Sequence, residues 1–304
     1  MGRQRTRCKH WRQSGKKIMK IATDWQQYKV LATGDGEKLE KWGKHILLRP
    51  DPQVIWHKKK DFFKVAKVDA HYHRSESGGG HWQYFSNLPE AWQIDYKDLT
   101  FSVKPMGFKH TGLFPEQAVN WDVMRQLIAQ NPNVSVLNLF GYTGAATVAC
   151  AKQGAYVTHV DSAKNMVERC KLNAKLSGVE EDKIRYIVDD CRKFVKREIK
   201  RGKFYDAVLL DPPSYGRGSN GEIWKLENDL YDFVELVKQV LVEKPLFVLI
   251  NSYTTGLQPT VMRNVLARIF GQGDIEAYEV CLPTEEKDVF LPCGASAIYK
   301  GRTK

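Results

Sequence analysis

The sequence predicts an α/β protein, with a mostly parallel sheet closed by an antiparallel hairpin and a small β-rich domain ahead of it. Three observations lead there. After Lys104 strand and helix signals alternate, the pattern of a sheet built from βαβ units. Successive strand candidates end in an acidic residue, at Asp161, Asp190 and Asp211, and open α/β sheets bind ligands outside the carboxyl ends of their strands. The last two strand candidates are separated only by a short polar link at 284–288. A parallel crossover needs a dozen or more residues, so these two strands must be antiparallel.

A chain of 304 residues is long for one domain and comfortable for two. Residues 1–18 read as a basic tail, 19–103 as the small β-rich domain and 104–304 as the α/β domain. The formal charge is +12, but residues 1–20 hold eight Lys or Arg and no acid; without them 39 basic residues face 35 acidic ones, a net +4. The tail reads either as a disordered arm that grips phosphates or as a translated leader ahead of a start at Met19. No run approaches the roughly 18 apolar residues of a membrane helix, and no signal-peptide core follows the basic stretch, so no membrane partner is expected and the expected location is cytoplasmic. Cys8, Cys150, Cys170, Cys191, Cys281 and Cys293 include no Cys-x-x-Cys pair, which points to reduced thiols rather than a zinc site or a disulfide framework.

From 28 to 103 short apolar stretches are broken by Gly, Pro and Asp. The alternation Leu99, Phe101, Val103 and the hairpin-like Gly34-Asp35-Gly36 favour short antiparallel strands. Trp25, Trp42, Trp56, Trp82 and Trp92 favour a small core filled by large side chains over a base-stacking platform. The Gly-rich segment 71–82 carries three histidines without the spacing of convergent ligands, so no metal is expected and a mobile loop at the mouth of the site is the better reading. In the α/β domain, parallel strands are expected at 134–140, 156–160, 184–188, 205–210 and 246–251, with helices between them, and the closing hairpin at 275–282 and 289–299.

The first loop of that domain holds Asn138, Phe140, Gly141, Tyr142, Thr143 and Gly144. Glycines there would let backbone approach a ligand that a β-carbon excludes. The G-x-G-x-x-G of dinucleotide binders is missing. Asp161, twenty residues after Gly141, can accept both hydroxyls of a ribose. Asp190 can accept from an adenine amino group, with Cys191 supplying backbone. Either aspartate alone would read as a helix N-cap, but an acid at one strand end after another is hard to explain by capping. The fourth strand ends in Asp211-Pro212-Pro213-Ser214-Tyr215-Gly216-Arg217-Gly218, where two prolines fix the backbone and remove donors, leaving carbonyls free to face a ligand.

The strings KHTGLFPEQAVNW, VLNLFGYTGAATVACAKQGA, THVDSAKNM, VDDCRKFV and LLDPPSYGRG occur in order over residues 104–300. Through them the chain resembles the RlmI/RlmK-like ribosomal RNA methyltransferases, a branch of the class I enzymes, whose Rossmann-like sheet ends in a C-terminal antiparallel hairpin. The resemblance implies S-adenosyl-L-methionine as cofactor, with Thr111, Gly112, Phe114, Gln117, Asn138, Phe140, Gly141, Tyr142, Thr143, Gly144, Asp161, Ser162, Asn165, Asp190, Cys191 and Asp211 around it. Catalysis would centre on Asp211, Pro212, Pro213 and Tyr215, and Arg217, Ser252 and Tyr253 would meet the acceptor. An Asp with proline carbonyls can hold an amino group so that its lone pair meets the methyl, while Tyr215 stacks on the ring.

Two departures limit the likeness. Members that methylate cytosine carbon-5 carry a cysteine just after the fifth strand, whose thiolate activates the ring; here stand Asn251-Ser252-Tyr253-Thr254-Thr255-Gly256. No N-terminal PUA domain is apparent. The expected function is therefore methyl transfer to a base nitrogen of structured, ribosomal RNA, with the oligomeric state open. Alternatives are a methyltransferase for a protein or small molecule, and a non-catalytic nucleic-acid-binding protein on the same fold.

Overall fold

The computed structural model describes residues 18–75, 79–107, 109–217, 222–271 and 273–301. Most of the basic tail lies outside them. The chain enters through β1 (Met19–Ile21) and then builds a five-stranded sheet from β2 (Tyr28–Gly34), β3 (Glu37–Trp42), β4 (His45–Pro50), β5 (Ala70–Arg74) and β6 (Gly80–Tyr84), paired in that order. Asp35 and Gly36, at φ 51° and 78°, make the left-handed turn between β2 and β3 that suits the twist of paired strands. A short helix, α1 (Phe62–Val65), connects β4 to β5, with the Asp61 side chain accepting from the Phe63 N–H at its start. The segment 71–82 is thus mainly the β5–β6 hairpin and not a loop, because Tyr72 points into the core while His71 and His73 alternate away from it. Its residues 76–78 lie outside the described residues. Among the described residues no group of three or more His, Cys, Asp or Glu could hold a metal ion.

β7 (Trp92–Tyr96) and β8 (Leu99–Val103) form a separate hairpin. Beyond it come α2 (Ala118–Ala129), β9 (Ser135–Leu139), α3 (Ala145–Lys152), β10 (Tyr156–Asp161), α4 (Lys164–Leu176), β11 (Ile184–Val188), α5 (Cys191–Lys200) and β12 (Ala207–Leu210). A two-stranded excursion, β13 (Tyr215–Arg217) and β14 (Ile223–Lys225), precedes α6 (Leu226–Lys238), β15 (Phe247–Ser252), α7 (Pro259–Phe270), β16 (Asp274–Pro283) and β17 (Phe290–Lys300). The large sheet runs β1-β16-β17-β15-β12-β9-β10-β11. Strands β9 to β12 and β15 are parallel, and β17 runs antiparallel to both β15 and β16. Every residue of β12 and β15 is buried, as expected where helices cover both faces of a parallel sheet. Strand order reverses at β9 and β12, so the loops that follow these two strands diverge and leave a crevice between them.

One hydrophobic core runs through both parts of the chain. It contains Trp25 and Trp42 together with Trp121, Val136 and Phe247, and Trp56, Trp82 and Trp92 pack against it half-buried. The tryptophans are therefore core residues. β1 also crosses from the first part to the edge of the large sheet, pairing parallel with β16. No helix of the described residues is long and apolar enough to cross a membrane.

The N-terminal β-rich region holds an ion pair in its interior. Glu40, fully buried, accepts from Arg49 Nε at 2.6 Å and Nη2 at 2.8 Å and from the Tyr28 hydroxyl at 2.6 Å. Burial pushes its carboxyl up, but Arg49 and Lys38 more than offset this and hold it at about 2. Arg49 also donates through Nη1 to the Lys109 carbonyl, tying the sheet to the segment that enters the α/β domain. Glu40→Ala would leave the guanidinium buried and unpaired, so urea unfolding at neutral pH should show a loss of about 3–5 kcal/mol. The contribution of Glu40 is full above its ordinary value of 4.5 and disappears as pH falls through about 2; a loss below about 1 kcal/mol at neutral pH would contradict this role.

Candidate active site

The crevice at the switch point is lined by Leu113, Phe114, Gln117 and Trp121 on one side, by Asn138 and residues 140–146 on a second, and by Leu209 and Asp211 on a third. Its space, open mouth included, is about 450 Å³.

The loop after β9 is bent in an unusual way. Phe140 and Tyr142 have φ of 58° and 50°, and Gly144 has 81°, values that side chains other than glycine adopt at a cost and that surrounding structure must enforce. Four side chains enforce them. Asp161, at the end of β10, accepts the Tyr142 N–H on Oδ2 and the Ala163 N–H on Oδ1, each at 2.8 Å. Cys191 Sγ accepts the Phe140 N–H at 3.2 Å. The Thr143 hydroxyl donates to the Gly112 carbonyl at 2.6 Å, and Asn173 Nδ2 donates to the Thr143 carbonyl at 2.8 Å. The two glycines also have a reason within the protein's own packing. A β-carbon on Gly141 would run into the His159 ring, and one on Gly144 into the Cys170 thiol. Glycine is required there by the protein's own packing.

The crevice brings together Phe114, Gln117, Asn138, Phe140, Gly141, Tyr142, Thr143, Gly144 and Asp211. Asn138 points its amide inward, donating to the Thr147 hydroxyl at 2.7 Å. The remaining expected cofactor residues do not line it; Asp161 bonds to the loop from behind. Thr111 is fully buried and its hydroxyl has no partner; Gly112, at φ 91°, lies against the Arg169 guanidinium. Ser162 and Asn165 are exposed beside the start of α4. Asp190 is the N-cap of α5, accepting the Lys193 N–H on Oδ1 at 2.8 Å, so the capping reading holds for this residue at least for one oxygen. Cys191 contributes its sulfur to the loop as well as its backbone, and burial pushes its thiol up.

At the end of β12, Asp211 Oδ1 accepts from Asn251 Nδ2 at 2.8 Å. Burial pushes the Asp211 carboxyl up to about 6; Asn251 draws it down and Glu116 adds to the rise. The Pro213 carbonyl, expected to be free for a ligand, accepts from Trp224 Nε1 at 2.7 Å, because the β13–β14 hairpin folds the indole back over the prolines. Pro212 is buried. Tyr215 and Arg217 are exposed on β13, with Arg217 Nε donating to the Tyr215 hydroxyl at 3.2 Å, and neither lines the crevice. Ser252 is buried and accepts the Thr254 N–H. Tyr253 stands half-buried with its ring 5.2 Å from that of Phe114, which in turn lies 5.4 Å from Tyr142. Its hydroxyl donates to Glu116 Oε1 at 2.9 Å and accepts from Gln117 Nε2 at 2.8 Å. Sequence reasoning missed Glu116, Asn251 and Trp224. Of these only Asn251 had a signal, as a polar residue ending an otherwise apolar strand.

The residues present fit S-adenosylmethionine. Asp161, at the end of β10, accepts one backbone N–H on each carboxylate oxygen and keeps a lone pair on each for a ligand hydroxyl. A family model described as S-adenosylmethionine-dependent methyltransferase matches residues 18–264. The chain belongs to this family, and S-adenosylmethionine is its cofactor. Among solved structures, the SAM-dependent methyltransferase from Agrobacterium tumefaciens is 30% identical, with 91% of each chain covered and a TM-score of 0.86. SMU.776 complexed with SAH shares the fold at 19% identity and a TM-score of 0.68, over 91% of this chain and 76% of that one. Among curated proteins, the ribosomal RNA large subunit methyltransferase K/L of Syntrophotalea carbinolica is 26% identical over 182 residues, 59% of this chain. That match spans a quarter of the relative's own length.

Asp161→Ala removes the acceptor of two backbone donors and frees a loop held at positive φ. Each unpartnered buried donor costs about 1–3 kcal/mol, so calorimetry with S-adenosylhomocysteine should show binding at least about tenfold weaker than in the wild type. Unchanged affinity would remove Asp161 from the cofactor site.

Proposed function

We propose that this enzyme methylates a nitrogen of a base in structured ribosomal RNA, in the cytoplasm. The observation that carries the reading is Asp211, a half-buried carboxylate oriented by Asn251, its pKa pushed up to about 6, in the wall of the crevice. A carboxylate so placed accepts a hydrogen bond from an amino or imino nitrogen and leaves that nitrogen's lone pair directed at the methyl carbon. Bound S-adenosylmethionine supplies an electrophilic methyl group on a sulfonium. As the nitrogen–carbon bond formed, the methyl–sulfur bond would break with its electron pair left on the sulfur as a thioether; the nitrogen would acquire the positive charge, and Asp211 would take the surplus proton. A base of pKa about 6 is ionised at neutral pH and still able to receive a proton. Tyr253, its hydroxyl fully engaged, offers the acceptor its ring face.

Carbon-5 chemistry lacks its nucleophile among the described residues. Cys150, Cys170, Cys191 and Cys281 are buried, and burial together with Glu116 holds the half-exposed Cys293 thiol well above its usual range. RNA as acceptor is supported by the names of the curated relatives, and by exposed Tyr215 and Arg217 beside the site and exposed Lys58, Lys59 and Lys60 on the small domain, residue types that stack on bases and hold phosphates.

The test is to incubate the protein with methyl-labelled S-adenosylmethionine and either deproteinised RNA or RNA-free protein from a strain lacking the gene. Label should enter RNA and appear as an N-methylated base after digestion; label confined to protein would overturn the reading. With the RNA acceptor, Asp211→Ala should lower kcat by about 10²–10⁴ while S-adenosylhomocysteine affinity stays within about twofold. The wild-type rate should rise with pH through about 6 and level off above it.

A further inference from the structure

Behind the crevice, a chain of hydrogen bonds crosses the core and ends on two carboxylates. It starts at Tyr278 on β16, whose hydroxyl donates to Asn120 Oδ1 at 2.6 Å. Asn120, on the first turn of α2, donates both hydrogens of its amide, one to Ser296 Oγ at 2.9 Å and one to Gln117 Oε1 at 2.7 Å. In the first branch the Ser296 hydroxyl donates to Asn251 Oδ1 at 2.8 Å, and Asn251 Nδ2 donates to Asp211 Oδ1 at 2.8 Å. In the second, Gln117 Nε2 donates to the Tyr253 hydroxyl at 2.8 Å, which donates to Glu116 Oε1 at 2.9 Å. Asn120, Ser296 and Asn251 are at most 1% exposed, so exchange with bulk water does not relax the chain.

Every link runs in one direction, from Tyr278 outward. Asn120 is the branch point and has no spare donor. Reversing its amide would set its oxygen against the Gln117 oxygen and its nitrogen against the Tyr278 hydroxyl. The orientation of Asn251 follows from Ser296 in the same way, since a flipped Asn251 would present an oxygen to the Asp211 carboxylate. Links in such a chain support one another, and a missing link leaves a buried polar group exposed to the full cost of desolvation.

We infer that Asn120 is the positioning residue of the active site, setting the Asp211 carboxylate through Ser296 and Asn251 and the Tyr253 ring through Gln117. The inference rests on the role given to Asp211 above. The titratable groups facing Asp211 are Glu116, just before α2, and Tyr253, just after β15; neither donates to it, so Asn251 is its side-chain donor among the described residues.

Ser296→Ala cuts the first branch and spares the second, and Tyr253→Phe does the reverse. The primary readout needs neither cofactor nor acceptor. The stability difference between the protein and its Asp211→Asn form, followed by urea unfolding across pH 4–9, falls as pH rises and flattens near the folded pKa of Asp211, about 6. In the Ser296→Ala background the flattening should move up by about one pH unit, because Asp211 loses a well-oriented donor, and Ser296→Thr, which keeps the hydroxyl, should bring it back. Tyr278→Phe, which frees the Asn120 amide, should move it in the same direction and serves if Ser296→Ala fails to fold. Tyr253→Phe should leave the flattening in place and raise the KM for RNA. An unmoved break in both Ser296→Ala and Tyr278→Phe, or an equal move in Tyr253→Phe, would overturn the inference. A moved break with unchanged kcat would support the positioning and instead overturn the catalytic role of Asp211.

Discussion

The carboxylate of Asp161 is the point on which the shape of the loop after β9 depends. It reaches from the end of β10 to the Tyr142 N–H in the loop after β9, and so joins two neighbouring strands at the place where a ligand must enter. Two non-glycine residues of that loop sit at positive φ, a conformation the chain would leave if nothing held it. The Cys191 thiol, the Asn173 amide and the Gly112 carbonyl hold it from three other elements. The loop is thus a product of tertiary structure, and its shape is fixed before any ligand arrives, which reduces the ordering cost of binding.

The acceptor half is organised by a different device. Asp211 is half-buried and its carboxyl raised, an arrangement that costs stability and that the proposed role as a base near neutral pH would account for. Its orientation comes from residues on α2, β15 and β17, each satisfied within one hydrogen-bonded chain. β17 runs antiparallel between β15 and β16, which places Ser296 opposite Asn251 across the sheet. The closing hairpin, first visible as a short link in the sequence, therefore contributes to the geometry of the site as well as to the fold.

Much of this was legible beforehand. The parallel strands, the antiparallel close and the acids at successive strand ends follow from local patterns with one physical meaning each. Other patterns had two. Gly141 and Gly144 signalled close approach by a ligand, and the His159 ring and Cys170 thiol crowd them as well. The prolines after Asp211 signalled free carbonyls, and Trp224, eleven residues after Pro213, bonds one of them. The histidines of 71–82 suggested a loop because glycines surround them, yet their alternation with Tyr72 and Trp82 is that of a hairpin. The chain from Tyr278 to Asp211 had no signal at all. Its members lie 40 to 176 positions apart, and nothing local distinguishes a serine in a strand that bonds across the core from one that does not.

The claim that the crevice at β9 and β12 is a preformed site for S-adenosylmethionine is tested most directly by thermal unfolding of the purified protein with increasing S-adenosylhomocysteine, and with NAD in parallel. At a hundredfold excess over the dissociation constant a ligand of the native state adds about 2.7 kcal/mol, so the midpoint should climb by a few degrees with S-adenosylhomocysteine and remain in place with NAD. A midpoint that does not respond to S-adenosylhomocysteine, or that responds to NAD instead, would contradict the account.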